Sequence, residues 1–184
     1  MAGGLTLLLG GVGSGKSALA CELAARGGAD VTFIATGIGS DAEMAERIAA
    51  HRAARPTAWR VEEEPLHPER ALARVGEGVV VLDSIDSWVG NLMHEAGCFE
   101  PGWDPAGASG LRAEIERVLG VVVGVAGLEL FVVSSEVGLG GVGVTAATRA
   151  FADLLGRANQ LLAASAQRTL LVVAGRSIEL QRPH

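Results

Sequence analysis

"LLLGGVGSGKS", Leu7–Ser17, runs from an apolar stretch into glycines, one lysine and one serine. Two nucleotide-binding loops share that composition. A dinucleotide fingerprint needs G-x-G-x-x-G. Counted from Gly11, its third glycine position falls on Lys16; counted from Gly10, its second falls on Val12. The phosphate-binding pattern G-x-x-x-x-G-K-[ST] fits without a gap: Gly10, then Gly11, Val12, Gly13 and Ser14, then Gly15, Lys16 and Ser17. In such a loop the glycines let backbone N–H groups curl around phosphate oxygens. The helix that follows turns its positive end toward the anion. Lys16, the only lysine in the chain, is expected to reach the β- and γ-phosphates, and Ser17 to hold Mg²⁺.

A loop of this kind sits between a strand and a helix, and the flanking sequence repeats that alternation. Leu5–Leu9, Val31–Ala35, Val79–Leu82, Leu130–Val133 and Leu170–Val173 read as short buried strands. Their unbroken apolarity suits a parallel sheet covered on both faces. Lys16–Arg26, Asp41–Ala54, Leu111–Val123 and Thr145–Ala164 read as helices, the second capped by Ser40 or Asp41. Gly97–Gly110 and Glu136–Gly143 read as loops, the latter at a carboxyl edge of the sheet, where open α/β sheets bind ligands. The terminal "SIELQRP" is a candidate edge strand. The expectation is one α/β P-loop domain over residues 1–184, recombinase-like, with a mostly parallel central sheet flanked by helices.

Composition narrows the function classes. The chain has 184 residues, 49% hydrophobic and 20% charged, enough for one sizeable core. The net charge is −6, with no basic cluster long enough to track a phosphate backbone, which points away from nucleic acid. No apolar run reaches the roughly 18–20 residues of a membrane span. No basic region precedes the first apolar run, so no signal peptide is expected. Cys21 and Cys98 have no metal-type spacing and read as reduced thiols of a cytoplasmic protein.

Phosphate loops usually draw on an acidic residue at the end of a neighbouring strand, reaching Mg²⁺ directly or through water. "VVVLD" supplies Asp83, with Asp86 a weaker candidate. An aspartate at a strand exit is also an ordinary helix cap. On the helix expected near Asp41, the residues Met44, Ile48 and His51 share one side. His51 is followed by Arg52 and Arg55, and Pro56 ends the helix. A histidine beside two guanidinium groups suits an anionic ligand. The same arrangement also reads as a surface helix end with cations near its negative pole.

"GGVGSGKS", "FIATG", "EMAERIAAHRAARPTAWRVEEEP", "SSEVGLGGVG" and "FADLLGRANQLLAASAQ", in this order, resemble the bifunctional adenosylcobinamide kinase / adenosylcobinamide-phosphate guanylyltransferase family. The P-loop alone says little about family. The "H-R-x-x-R-P-x-x-W-R", "EVG-x-G" and "GR-x-NQ" elements are far more specific. The resemblance implies two steps of cobalamin assembly. ATP or GTP phosphorylates the hydroxyl of adenosylcobinamide; GTP then donates GMP to that phosphate, giving adenosyl-GDP-cobinamide and pyrophosphate. It implies a guanylylated histidine at His51; many relatives carry a histidine pair where this chain has Ala50 and His51. It places Ala35, Thr36 and Gly37 along the nucleotide, with Glu63 near the guanosine, a part that Glu62 or Glu64 also fits. It matches Asp83 to the acid after the third strand, and implies a homo-oligomer, a trimer. Glu136, Arg157 and Asn159 belong to family motifs, with no role beyond shaping the site. The chain departs from the family in Ser135, in "GGVG" at Gly140–Gly143, and in "SIDSWVGN" after Asp83.

The competing reading is a recombinase-like P-loop ATPase acting as motor or switch. It shares Gly10–Ser17 and Asp83 but has no use for a histidine followed by two arginines. A nucleotide-binding regulatory subunit is a third class.

Overall fold

The computed structural model describes residues 4–27, 30–39, 46, 52, 56–141 and 143–182. Within them lie strands β1 (Leu5–Gly10), β2 (Val31–Ala35), β3 (Arg60–Glu63), β4 (Gly78–Asp83), β5 (Leu128–Ser135), β6 (Arg168–Val173) and β7 (Arg176–Glu179). They form one sheet in the order β3-β2-β4-β5-β1-β6-β7. Every neighbouring pair is parallel except β6–β7. The helices are α1 (Lys16–Arg26), α2 (Pro68–Ala73), α3 (Ile85–Glu95), α4 (Ala108–Gly124) and α5 (Ala146–Ser165).

Alternate strand residues point to opposite faces, and here both faces are buried. Leu7, Leu9, Leu82 and Val132 pack with Leu72, Trp88, Leu119 and Leu155 of α2–α5. Leu8, Val81, Phe131 and Val133 pack with Ala20 and Ala24 of α1. Two covered faces leave no polar side to the central strands, which is why their sequences are continuous apolar runs.

The five expected strands are all present, and "SIELQRP" supplies the antiparallel edge strand β7. Three further elements emerge. β3 is an edge strand with mostly exposed, charged residues, so it carries no apolar signature. α2 spans only six residues. α3 is capped by Ser84, whose Oγ accepts from Ser87 N at 3.4 Å, and buries Ile85, Trp88, Val89 and Met93 at helical spacing. Within Gly97–Gly110, Asp104 caps a 3-10 turn at Pro105–Gly107, and α4 starts at Ala108, ahead of the expected Leu111. Thr145 begins α5 with a reciprocal capping box to Thr148. The expected helix Asp41–Ala54, with its cap at Ser40 or Asp41, lies outside the described residues except for Glu46 and Arg52, both helical.

Candidate nucleotide site

The loop Gly11–Gly15 leaves the end of β1, and Gly15 is the N-cap of α1. Gly13 and Gly15 have φ of 69° and 96°, a region that side chains other than glycine's enter at a cost. No side chain caps α1, whereas Ser84 caps α3 and Thr145 caps α5. The first N–H groups of α1 are therefore left for an anion. Ser14 Oγ is buried and has no hydrogen-bond partner among the described residues.

Lys16 is folded back over this loop. Its side chain is almost wholly buried, and Nζ donates to Gly11 O at 2.8 Å. Burial pushes its pKa below the ordinary lysine value, while the carboxylates of Asp86 and Asp83 pull it back up. The ammonium thus has less negative charge around it than its burial calls for. Phosphate oxygens in the loop would supply the balance.

Ser17 Oγ donates to Asp83 Oδ1 at 3.0 Å. The two residues expected to hold Mg²⁺ therefore meet, one from the first turn of α1 and one from the end of β4. Capping of α3 falls to Ser84, which leaves the Asp83 carboxylate aimed at the loop. A hydroxyl and a carboxylate are hard oxygen donors that suit Mg²⁺. Among the described residues no group of three or more His, Cys, Asp and Glu gathers. An ion here would take the rest of its shell from phosphate and water.

The strand ends beside Asp83 are level: Ala35 pairs with Asp83 on one side and Glu63 on the other. Thr36, expected along the nucleotide, is fully buried. Its hydroxyl donates to Ser84 O at 2.6 Å and accepts from Ser84 N at 2.8 Å. Asn91 Nδ2 donates to Thr36 O at 2.7 Å and to Pro65 O at 3.0 Å. Thr36 thus grips the backbone directly after Asp83, and Gly37 beyond it is exposed.

The three glutamates of "VEEEP" have separate partners. Glu62 binds Arg60 and Arg74, which hold its carboxyl below the usual range. Glu64 Oε1 accepts from His67 N at 3.1 Å. Glu63, exposed at the end of β3, forms an ion pair with Arg52. Of the alternatives, Glu63 is thus the one joined to the neighbour of His51. His51 and Arg55 themselves lie outside the described residues.

Asn159, expected only to shape the site, and Asp86, the weaker Mg²⁺ candidate, both bond the end of β5. Asn159, buried on α5, accepts from Ser134 Oγ at 2.6 Å and donates to Ser135 O at 3.0 Å. Ser135 N donates to Asp86 Oδ1 at 3.2 Å. Glu136 N then donates to Gly10 O at 3.1 Å. This chain of contacts holds the end of β5 against the phosphate loop. The "NQ" of the sequence motif was its signal. Arg157 serves elsewhere, bonding Glu116 on α4 at 2.8 Å. His67 lies 3.7 Å from Glu69 and His94 packs by Phe99, so neither is seen to join the loop.

A profile for the family described as cobinamide kinase / cobinamide phosphate guanyltransferase matches residues 6–180. The bifunctional adenosylcobalamin biosynthesis protein CobP of Pseudomonas aeruginosa is 37% identical over 95% of this chain and 96% of its own length. The corresponding CobU protein of Escherichia coli (strain K12) is 35% identical over 96% and 99%. Among solved structures, the RadB recombinase superposes with a TM-score of 0.52 at 20% identity, covering 92% of this chain and 74% of that one. A type III secretion system ATPase gives 0.51 at 12% identity, covering 97% and 57%. These two likenesses show a shared P-loop-type α/β fold. No helix among the described residues is long and apolar enough to cross a membrane.

Proposed function

The chain belongs to the cobinamide kinase / cobinamide phosphate guanyltransferase family, and on that premise we propose that one nucleotide site serves both of its transfers. The enzyme is an adenosylcobinamide kinase and adenosylcobinamide-phosphate guanylyltransferase of cobalamin biosynthesis. The observation that carries the shared-site reading is the meeting of Ser17 and Asp83 beside a buried Lys16.

In the kinase step the substrate hydroxyl oxygen attacks the γ-phosphorus of ATP or GTP; the bond from that phosphorus to the β–γ bridging oxygen breaks, ADP or GDP leaves, and the hydroxyl proton passes to solvent. In the nucleotidyl step a ring nitrogen of His51 attacks the α-phosphorus of GTP. The N–P bond forms as the α–β bond breaks and pyrophosphate leaves. A phosphate oxygen of adenosylcobinamide phosphate then displaces the histidine and gives adenosyl-GDP-cobinamide. A neutral imidazole is a competent nucleophile near neutral pH.

The loop residues Gly10–Ser17 cradle the phosphates, and Lys16 neutralises the oxygens that gain charge. Ser17 and Asp83 would hold Mg²⁺, which supplies further charge neutralisation when bound. Arg52, paired with Glu63, and Arg55 follow His51 in sequence and supply positive charge for the α-phosphate oxygens; Glu63 takes the guanosine side. Ala35 and Gly37 line the nucleotide, and Thr36 acts from behind by fixing the backbone after Asp83. A homo-oligomer, a trimer by family resemblance, belongs to the same proposal.

Lys16→Ala tests the shared site. It is expected to depress phosphoryl transfer and guanylyl transfer together; phosphoryl transfer at the wild-type rate contradicts it. The likenesses to a recombinase and a secretion ATPase are of fold alone and support no motor.

A further inference from the structure

The glycines of the phosphate loop are not all explained by the ligand. A Cβ on Gly11 would meet nothing within 4 Å, as befits the open side of the cradle. A Cβ on Gly10 would stand 2.3 Å from Val172 O, a backbone atom of β6. A Cβ on Gly15 would stand 3.3 Å from Gly175 Cα. Gly10 is thus required by close approach of the hairpin β6–β7, which lies at the other end of the chain, and Gly15, already held to glycine by its φ of 96°, sits tightly against the tip of that hairpin.

The turn of that hairpin is Ala174–Gly175, with φ of 50° and 72°. Two successive positive φ values are what a two-residue hairpin turn of the I′ type needs. Strand β7 is exposed at every residue, so β7 and its turn add little to the core, whereas β6 buries Leu170 and Val172. The tip of the hairpin nonetheless makes one directed contact: Gly175 N donates to Ser14 O at 2.9 Å.

That bond has a consequence through the planarity of the peptide. In a trans peptide the C=O and the N–H point in opposite directions, and Ser14–Gly15 is not cis. With Ser14 O held toward Gly175, Gly15 N–H is turned to the other side. Gly15 N–H has no acceptor among the described residues. The second side of the loop is fixed in the same manner, by Glu136 N donating to Gly10 O.

We propose that Gly175 is a positioning residue for nucleotide binding: its N–H clamps the outer face of the phosphate loop and presents Gly15 N–H to phosphate. The proposal rests on the reading of Gly10–Ser17 as the nucleotide loop. It requires a residue at 175 that adopts positive φ while keeping its N–H, a demand that asparagine meets and valine does not.

The test uses full-length protein, Mg²⁺ and fluorescent mant-GTP. Gly175→Val is expected to weaken binding about tenfold, the effect of losing one aligned hydrogen bond at a charged ligand. Gly175→Asn is expected to restore binding to within about twofold of wild type, and Gly175→Ala to fall between. Nucleotide KM should rise in both half-reactions while corrinoid KM stays put, a split that loss of fold stability alone would not give. Folded Gly175→Val that binds as tightly as wild type overturns the assignment. So does Asn weakening binding as much as Val. If Val does not fold, wild-type affinity in the Ala variant overturns it. Wild-type protein that binds no mant-GTP overturns instead the reading of the loop itself.

Discussion

Ser17 and Asp83, far apart in sequence, share a hydrogen bond of 3.0 Å that ties the start of α1 to the end of β4. Asp83→Asn keeps the size of the side chain and removes its charge. It is expected to lower both half-reactions by roughly 10²–10³-fold, the order of one lost charge-stabilising group in a phosphate site, with little change in melting temperature. Rates measured over a Mg²⁺ series check this; a rate unchanged at every Mg²⁺ level contradicts it.

Lys16 gives a pH prediction. Its folded-state pKa is lowered below the ordinary 10.5, mainly by burial. Below the folded value both states carry the proton, and the cost of burying the charge is fully present. As pH rises from there toward 10.5, the folded state sheds the proton first and stability rises. The chain has no tyrosine and no other lysine, so few groups share that window. The unfolding midpoint of wild type should gain on that of Lys16→Met as pH rises from neutral toward 10.5. A flat or falling difference contradicts the assigned burial.

Asn159→Ala strands Ser134 Oγ and Ser135 O, both of which it now partners. Leaving buried polar groups unmatched costs about 1–3 kcal/mol, read as a lower urea midpoint. Nucleotide turnover should fall as well, because Ser135 and Glu136 brace Asp86 and Gly10.

Cys98 is buried, and burial raises its thiol pKa; Cys21 is half-buried, and neither is in a disulfide. A thiolate reagent is expected to label Cys21 first, and Cys98 only as the protein unfolds. Equal labelling rates in the folded protein contradict the placement of Cys98.

The parts of this protein legible in its sequence are those set by local pattern. The apolar run of β1, the glycines and Lys16 announce a strand, a phosphate loop and a helix within a dozen or so residues. Strand β3 escaped because "RVEE" lies exposed at an edge and shows no apolar alternation. Helix α3 was legible in principle, since Ser84 and the spacing of Ile85, Trp88, Val89 and Met93 are ordinary helix signals. Resemblance places Thr36 along the nucleotide, whereas its burial against Ser84 arises from the pairing of two strands distant in sequence. The contact of Gly175 with Ser14 joins opposite ends of the chain, and no local rule announces it.

The most direct measurement concerns the bond proposed at His51. Incubate the full-length protein with Mg²⁺ and GTP labelled at the α-phosphate, denature it, and count the label retained on the polypeptide. Retained label that is acid-labile and alkali-stable, as a phosphoramidate on histidine is, is expected in wild type, and its loss in His51→Ala. Wild type that retains none, or His51→Ala that labels equally well, contradicts the proposed bond.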